Sequence, residues 1–416
     1  MDWFESARLG MFIHWGHSSV RGWELSWPLV GGVFSLPYCR DVAVAEYHQN
    51  ANNFNPTAYN PQQWATIAKN LGVEYVILTV KHHDGFALFP TKTDDFHFKS
   101  GDGTDLVEQF IKAMREANLK VGLYFSLIDW HHPDYPPFTE DYKPYRFDKL
   151  PQPTPQQWSS FCDVMFEQIR ELLTNYGQID VIWFDGSWER TPQQWRSEEL
   201  GRMIRQLQPD ILINDRLPGQ GDFATPEQFV PPRPPEGLWE VCLTMNESWG
   251  YNTEDNSYKS AREIIHTLCE IAGKGGNLLL NVSPMGDGQI PPAQIERLHV
   301  VAEWMSRNQE SIRNTQSGLE PWQFYGSSTR RNNVYYLHLL MKPYETISVR
   351  GMPIKRIESV KVVGSDRALT YTQRCSVIDR LTQSDPYGEL IITIPESIID
   401  PLATVIAIEL TPSAIE

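Results

Sequence analysis

Apolar residues in this chain follow two alternating rhythms. Short unbroken runs of aliphatic and aromatic residues occupy 9–16, 73–80, 121–126, 179–186, 211–216, 239–245 and 277–282. Unbroken apolar character, rather than strict alternation, is that of strands covered on both faces in a parallel sheet. Between these runs the apolar positions recur every three to four residues. In 61–71, Trp64, Ile67, Ala68 and Leu71 share one face, which predicts a helix. Helices are likewise expected over 106–117, 156–175, 194–207, 261–271 and about 292–306. The alternation predicts an α/β chain folded as a (β/α)8-type barrel, TIM-like and tolerant of irregularity, although no run marks an eighth strand. An open doubly wound sheet is disfavoured, because no glycine-rich phosphate turn follows any strand.

Beyond Trp322 the rhythm changes. Runs at 334–339, 357–363, 390–394 and 404–410 are short and β-rich, with no helical pattern between them, and predict a small antiparallel β-sandwich. At 416 residues the chain is long enough for one barrel and one smaller domain. The expected division is a catalytic barrel over 1–320 and a sandwich over 321–416.

Composition narrows the partners. Lys and Arg number 36 against 52 Asp and Glu, a formal net charge of −16. Such a chain repels phosphate backbones and anionic lipid, so neither nucleic acid nor membrane is an expected partner. The five cysteines, Cys39, Cys162, Cys242, Cys269 and Cys375, lack CxxC spacing, which argues against a zinc site and a disulfide framework. No apolar run approaches transmembrane length. No basic stretch followed by an apolar segment opens the chain, so a cytoplasmic location is expected. A secreted chain from which a leader had been removed would read the same.

Chemistry collects at the strand ends. The run 179–186 carries Trp183, Phe184 and then Asp185 and Gly186; a carboxylate has no place inside a buried strand and belongs at its carboxyl end, where such barrels keep their active sites. The other tips deliver His14, His82, His83, Tyr124, Asn214 to Arg216, Glu240 and Asn281 to the same face. Imidazoles, a phenol and a guanidinium suit the hydroxyls of a neutral sugar, and the chain's 14 tryptophans offer surfaces for sugar C–H faces.

Cleaving a glycosidic bond takes two carboxyls. Asp185 is the expected nucleophile or base. Glu227, on a loop, is the preferred acid, because it can reach the leaving-group oxygen. Glu240 is the runner-up, since a strand position near the barrel axis suits a structural hydrogen bond, and Glu247, Glu189 and Asp215 follow. A metal is not expected. Barrel metallohydrolases end their first strand in His-x-His, whereas this chain reads His14-Trp15-Gly16-His17. His82 and His83 on an extended segment point to opposite sides. His48, His266, His299 and His338 read as core or surface residues.

Five stretches in order carry a family resemblance: Phe12-Ile13-His14-Trp15-Gly16, Lys81-His82-His83-Asp84-Gly85-Phe86, Trp183-Phe184-Asp185-Gly186, Ser248-Trp249-Gly250-Tyr251 and Gly275-Gly276-Asn277-Leu278-Leu279-Leu280-Asn281. Nearly the whole chain resembles the α-L-fucosidases of glycoside hydrolase family 29. The resemblance implies a retaining exo-α-L-fucosidase with Asp185 as nucleophile, Glu227 as acid/base and no cofactor. It places His14, His82, His83, Tyr124, Trp183, Arg216 and Trp249 in the fucose pocket. Glu24 is a looser match, because its loop reads Glu24-Leu25-Ser26-Trp27 where the family usually has Glu-Trp-Tyr or Glu-Trp-Phe. The expected partner is a fucosylated oligosaccharide or glycoconjugate, with self-association into a homo-oligomer left open. A metal-dependent barrel hydrolase and a catalytically silent sugar-binding protein are the rival readings.

Overall fold

The computed structural model describes residues 2–32, 38–365 and 367–412. Eight parallel strands form the first sheet: β1 (Leu9–Ile13), β2 (Tyr75–Lys81), β3 (Lys120–Ser126), β4 (Val181–Asp185), β5 (Leu212–Ile213), β6 (Phe223–Ala224), β7 (Leu238–Leu243) and β8 (Asn277–Val282). Their order is β5-β4-β3-β2-β1-β8-β7-β6. The remaining gap is bridged where Asn214 pairs with Phe223 and the Asp222 N–H donates to the Ile213 carbonyl at 2.7 Å. The result is a nearly closed barrel. The strand missing from the sequence pattern is therefore β6, only two residues long and without an apolar run to reveal it.

The helices are α1 (Asp2–Ala7), α2 (Val44–Gln49), α3 (Pro61–Leu71), α4 (Leu106–Glu116), α5 (Pro155–Asn175), α6 (Ser197–Leu207), α7 (Ala261–Gly273) and α8 (Pro292–Asn308). The long ones begin where the sequence supplies caps. Asn60 accepts the Gln63 N–H ahead of α3, and Thr154 with Gln157 forms a capping box on α5. Their apolar faces pack on the outside of the barrel around Trp64, Phe110, Met165, Ile204 and Leu268. Inside the barrel a second cluster stacks Phe12, Tyr75, Tyr124, Trp183 and Phe223. The N-terminal α1 plugs the bottom with Phe4, whose ring lies 4.6 Å from that of Phe223.

The C-terminal strands are β9 (Gln316–Ser317), β10 (Ser327–Arg331), β11 (Val334–Leu339), β12 (Thr346–Pro353), β13 (Ile357–Val362), β14 (Arg367–Ala368), β15 (Tyr371–Arg374), β16 (Tyr387–Thr393) and β17 (Thr404–Leu410). They form antiparallel sheets ordered β14-β13-β17-β11-β10-β9 and β12-β16-β15. A short helix, α9 (Val377–Thr382), interrupts the strands where no helical pattern is evident in the sequence. Alternation along β17 serves two cores. Ile406, Ile408 and Leu410 face the second sheet, while Val405 and Ala407 join the core beneath the barrel helices. There the Trp304 indole of α8 donates to the Ala403 carbonyl at 2.9 Å.

Candidate active site

Strand periodicity builds the site. Residues two apart share a face, so Phe12 and His14, Trp183 and Asp185, Glu240 and Cys242, and Leu279 and Asn281 all turn inward. Of these, Phe12, His14, Trp183, Asp185 and Cys242 line a pocket of about 410 Å³ with Trp27, His82, Tyr124, Trp188, Arg216, Glu227 and Trp249.

Asp185 ends β4 and is buried. Its Oδ1 accepts from Arg216 Nη1 at 2.8 Å and its Oδ2 from the Tyr124 hydroxyl at 2.8 Å. Burial alone raises a carboxyl's pKa, but the Arg216 guanidinium, with the hydrogen bonds from Arg216 and Tyr124, holds Asp185 below its usual range. It is thus an anion held in place at neutral pH. The other terminal nitrogen of Arg216 donates to Glu227 Oε2 at 2.6 Å, and the guanidinium lies 4.6 Å over the Trp183 ring.

Glu227 is not on a free loop. It continues β6 beside β7, pairing with Cys242 through Cys242 N–H to Pro226 O at 3.2 Å and Gln228 N–H to Cys242 O at 3.0 Å. Glu240 lies one layer deeper on β7, fully buried. It accepts from the Trp183 indole at 3.0 Å and from the Tyr75 hydroxyl. Burial pushes its carboxyl up to about 7.

The histidines are fixed through Nδ1. Asn281 Oδ1, which can only accept, lies 2.7 Å from His14 Nδ1. That nitrogen therefore carries the proton and Nε2 keeps its lone pair. Ser126 spends its hydroxyl hydrogen on the Ile128 carbonyl at 2.8 Å and so accepts from His83 Nδ1 at 2.6 Å. The His83 Nε2 lone pair then lies 3.6 Å from Asp185 Oδ2. Burial lowers both imidazoles to about 4, which keeps them neutral acceptors for hydroxyl groups. His82 bonds Ser26 Oγ through Nδ1 at 2.5 Å, and burial lowers it further.

The expectation that His82 and His83 point apart is not met. Strand β2 ends at Lys81, and the Gly85 N–H returns to the His82 carbonyl at 3.1 Å. Gly85 has φ +83°, with Asp129 packed where a Cβ would go. This turn brings the two rings to 4.1 Å. Ligand atoms of His82, His83 and Asp185 fall within 4.8 Å of one another. That group is compact enough for a metal, but Asp185 already receives a guanidinium, and a second cation beside Arg216 is opposed by charge. His17 points elsewhere and pairs with Asp84 at 3.3 Å.

Glu24 is buried behind the pocket wall. Its two oxygens accept the backbone N–H groups of Trp249 at 2.7 Å and Gly250 at 2.9 Å. Burial, partly offset by these two bonds, raises it to about 8. Four lining residues are not among the sequence candidates: Phe12, Trp27, Trp188 and Cys242. Phe12 and Cys242 were detectable as neighbours two apart from His14 and Glu240; Trp27 and Trp188 follow strand tips in loops whose course no local pattern sets.

A sequence model of the family described as "Alpha-L-fucosidase" matches residues 1–310. The chain belongs to the α-L-fucosidases of glycoside hydrolase family 29. It is similar to α-L-fucosidase isoenzyme 1 from Paenibacillus thiaminolyticus, with 34% identity and a TM-score of 0.85 over 99% of this chain and 98% of that one. The tissue α-L-fucosidase of Bos taurus is 32% identical over 80% of this chain and 72% of its own length. The Thermotoga maritima α-fucosidase in complex with a mechanism-based inhibitor is 28% identical, with a TM-score of 0.77 over 98% of this chain and 96% of that one. Membership in this family makes the protein a glycoside hydrolase.

Proposed function

We propose that the protein releases terminal α-L-fucose from fucosylated glycans with net retention, through a covalent fucosyl-enzyme. The observation that carries this reading is the single guanidinium of Arg216 shared by Asp185 and Glu227. Sharing one guanidinium sets the two carboxyls as neighbours at the barrel mouth, the pair of groups that glycosidic cleavage needs. Asp185, ionised and held by two donors, attacks the anomeric carbon. Glu227 protonates the departing oxygen and then, as a base, activates water.

The pocket's chemistry supports the sugar. His14 and His83 supply neutral acceptors, and Arg216 supplies a charged donor. Phe12, Tyr124, Trp183 and Trp249 form a closed apolar end with room for the methyl of a 6-deoxy sugar rather than a hydroxymethyl needing a partner. The inhibitor complex of the Thermotoga relative is in keeping with a covalent route. Proton NMR of an aryl α-L-fucoside during hydrolysis should show α-fucose as the first anomer. Peptide mapping after treatment with 2-fluoro-fucosyl fluoride should place the label on Asp185. A β-anomer formed first would rule out the two-step route.

A further inference from the structure

We propose that Trp188 is the stacking platform for the leaving-group sugar, so that the enzyme recognises a neutral hexopyranose beyond the scissile bond by an apolar C–H face. This rests on the fucosidase reading above. Trp188 belongs to the short turn Ser187–Glu189 that follows Gly186 at the tip of β4. Among the described lining residues it is the exposed one, at 40%.

The closed end of the pocket is formed by Phe12, Tyr124 and Trp183, all buried, so a departing group must leave by the opposite, open end. The Glu227 side chain is 39% exposed, and the general acid lies beside the leaving-group oxygen. The ring of Trp188 therefore flanks the route that the leaving group takes.

The indole is also held still. Its Nε1 donates to the Tyr145 hydroxyl at 2.7 Å, which donates to Glu189 Oε1 at 2.7 Å. Glu189 is buried, and it also accepts from the Trp130 indole at 3.1 Å and from the Tyr135 hydroxyl. The Trp188 ring runs within 16° of parallel to Trp27 at 6.4 Å and meets His83 edge-on at 5.4 Å. An exposed indole gains little by burial in the free protein, yet here a buried carboxylate anchors it through the Tyr145 hydroxyl. A surface whose conformational entropy is already lost binds a flat partner at less cost, and sugar C–H faces are such partners.

The test compares Trp188→Ala with the unaltered enzyme on α-L-fucosyl fluoride, whose leaving group has no ring, and on a disaccharide with fucose linked to N-acetylglucosamine. The loss in kcat/KM should be about tenfold greater for the disaccharide, on the scale of one aromatic contact. Trp188→Phe should recover most of it, and Tyr145→Phe, which frees the indole N–H, should show a smaller loss in the same direction. Equal losses on both substrates, or no loss on either, overturn the proposal. If the unaltered enzyme turns over neither fucoside, it is the fucosidase reading that fails. Thermal melting of each variant separates a folding defect from a binding one.

Discussion

Arg216 Nη2 lies 2.6 Å from Glu227 Oε2, and the same guanidinium holds Asp185 at 2.8 Å. One cation thus serves two carboxyls with opposite tasks. It keeps Asp185 ionised, as a nucleophile must be. It also binds Glu227, so that contact must give way before the carboxyl can reach a leaving-group oxygen.

If that pairing sets the nucleophile's charge, weakening it shifts the acid limb of the rate profile. Asp185 is held low chiefly by Arg216, with a further contribution from the Tyr124 hydroxyl. Tyr124→Phe removes one donor to a charged group, a loss of about 1.5–3 kcal/mol. The acid limb of kcat/KM should move to higher pH, and kcat/KM at its plateau should fall by at least about tenfold. A variant profile superposing on the original would show that Tyr124 does not act through Asp185.

Asp185→Ala should lower turnover by roughly 10³-fold or more, since covalent catalysis is lost. Sodium azide should restore part of it and yield fucosyl azide of inverted configuration. Circular dichroism should show a folded protein, because Arg216 retains Glu227 as a partner.

Glu227→Ala should be read by its leaving-group dependence. Proton donation matters most when the leaving group is poor. Glycosylation should slow modestly for a nitrophenyl fucoside and severely for a fucosylated oligosaccharide, and the activated substrate should give a burst. Azide should then accelerate turnover with retained configuration. Should Glu240→Ala show that dependence instead, the acid/base role passes to Glu240.

The cluster of His82, His83 and Asp185 makes chelation worth measuring. With Arg216 already on Asp185, activity should survive EDTA, and added Zn²⁺ should not raise it. Replacing either histidine by Ala should cost about 0.5–1.5 kcal/mol of transition-state binding, the scale of one hydrogen bond between a neutral imidazole and a hydroxyl. Loss of activity on chelation with recovery on adding Zn²⁺ would overturn the hydroxyl-binding role.

Stability should depend on pH through Glu24. Its carboxyl rises from 4.5 to about 8 on folding, so its contribution is fully present below about 4.5 and is lost as pH rises through about 8. His14 and His83, lowered from 6.5 to about 4, act oppositely, and their contribution is lost as pH falls through that range. The melting temperature should therefore fall between pH 6.5 and pH 9. Glu24→Gln, neutral throughout, should flatten that decline; an unchanged slope would remove Glu24 as its source.

The sequence by itself determined the barrel's strands with long apolar runs, its amphipathic helices, the later β-rich runs and Asp185 at a strand tip. Each rests on local periodicity or on the cost of burying a charge, which a linear pattern records. The two-residue β6 left no such trace, because its pairing with β5 and β7 comes from ring closure rather than from its own side chains. Only tertiary structure decided that Glu227 is anchored beside Cys242, and that the Gly85 turn folds His82 and His83 together. It likewise decided that Glu24 clasps the backbone of Trp249. These are relationships between segments far apart in the chain, set by which loops meet over the barrel mouth, and no spacing along the sequence encodes that meeting.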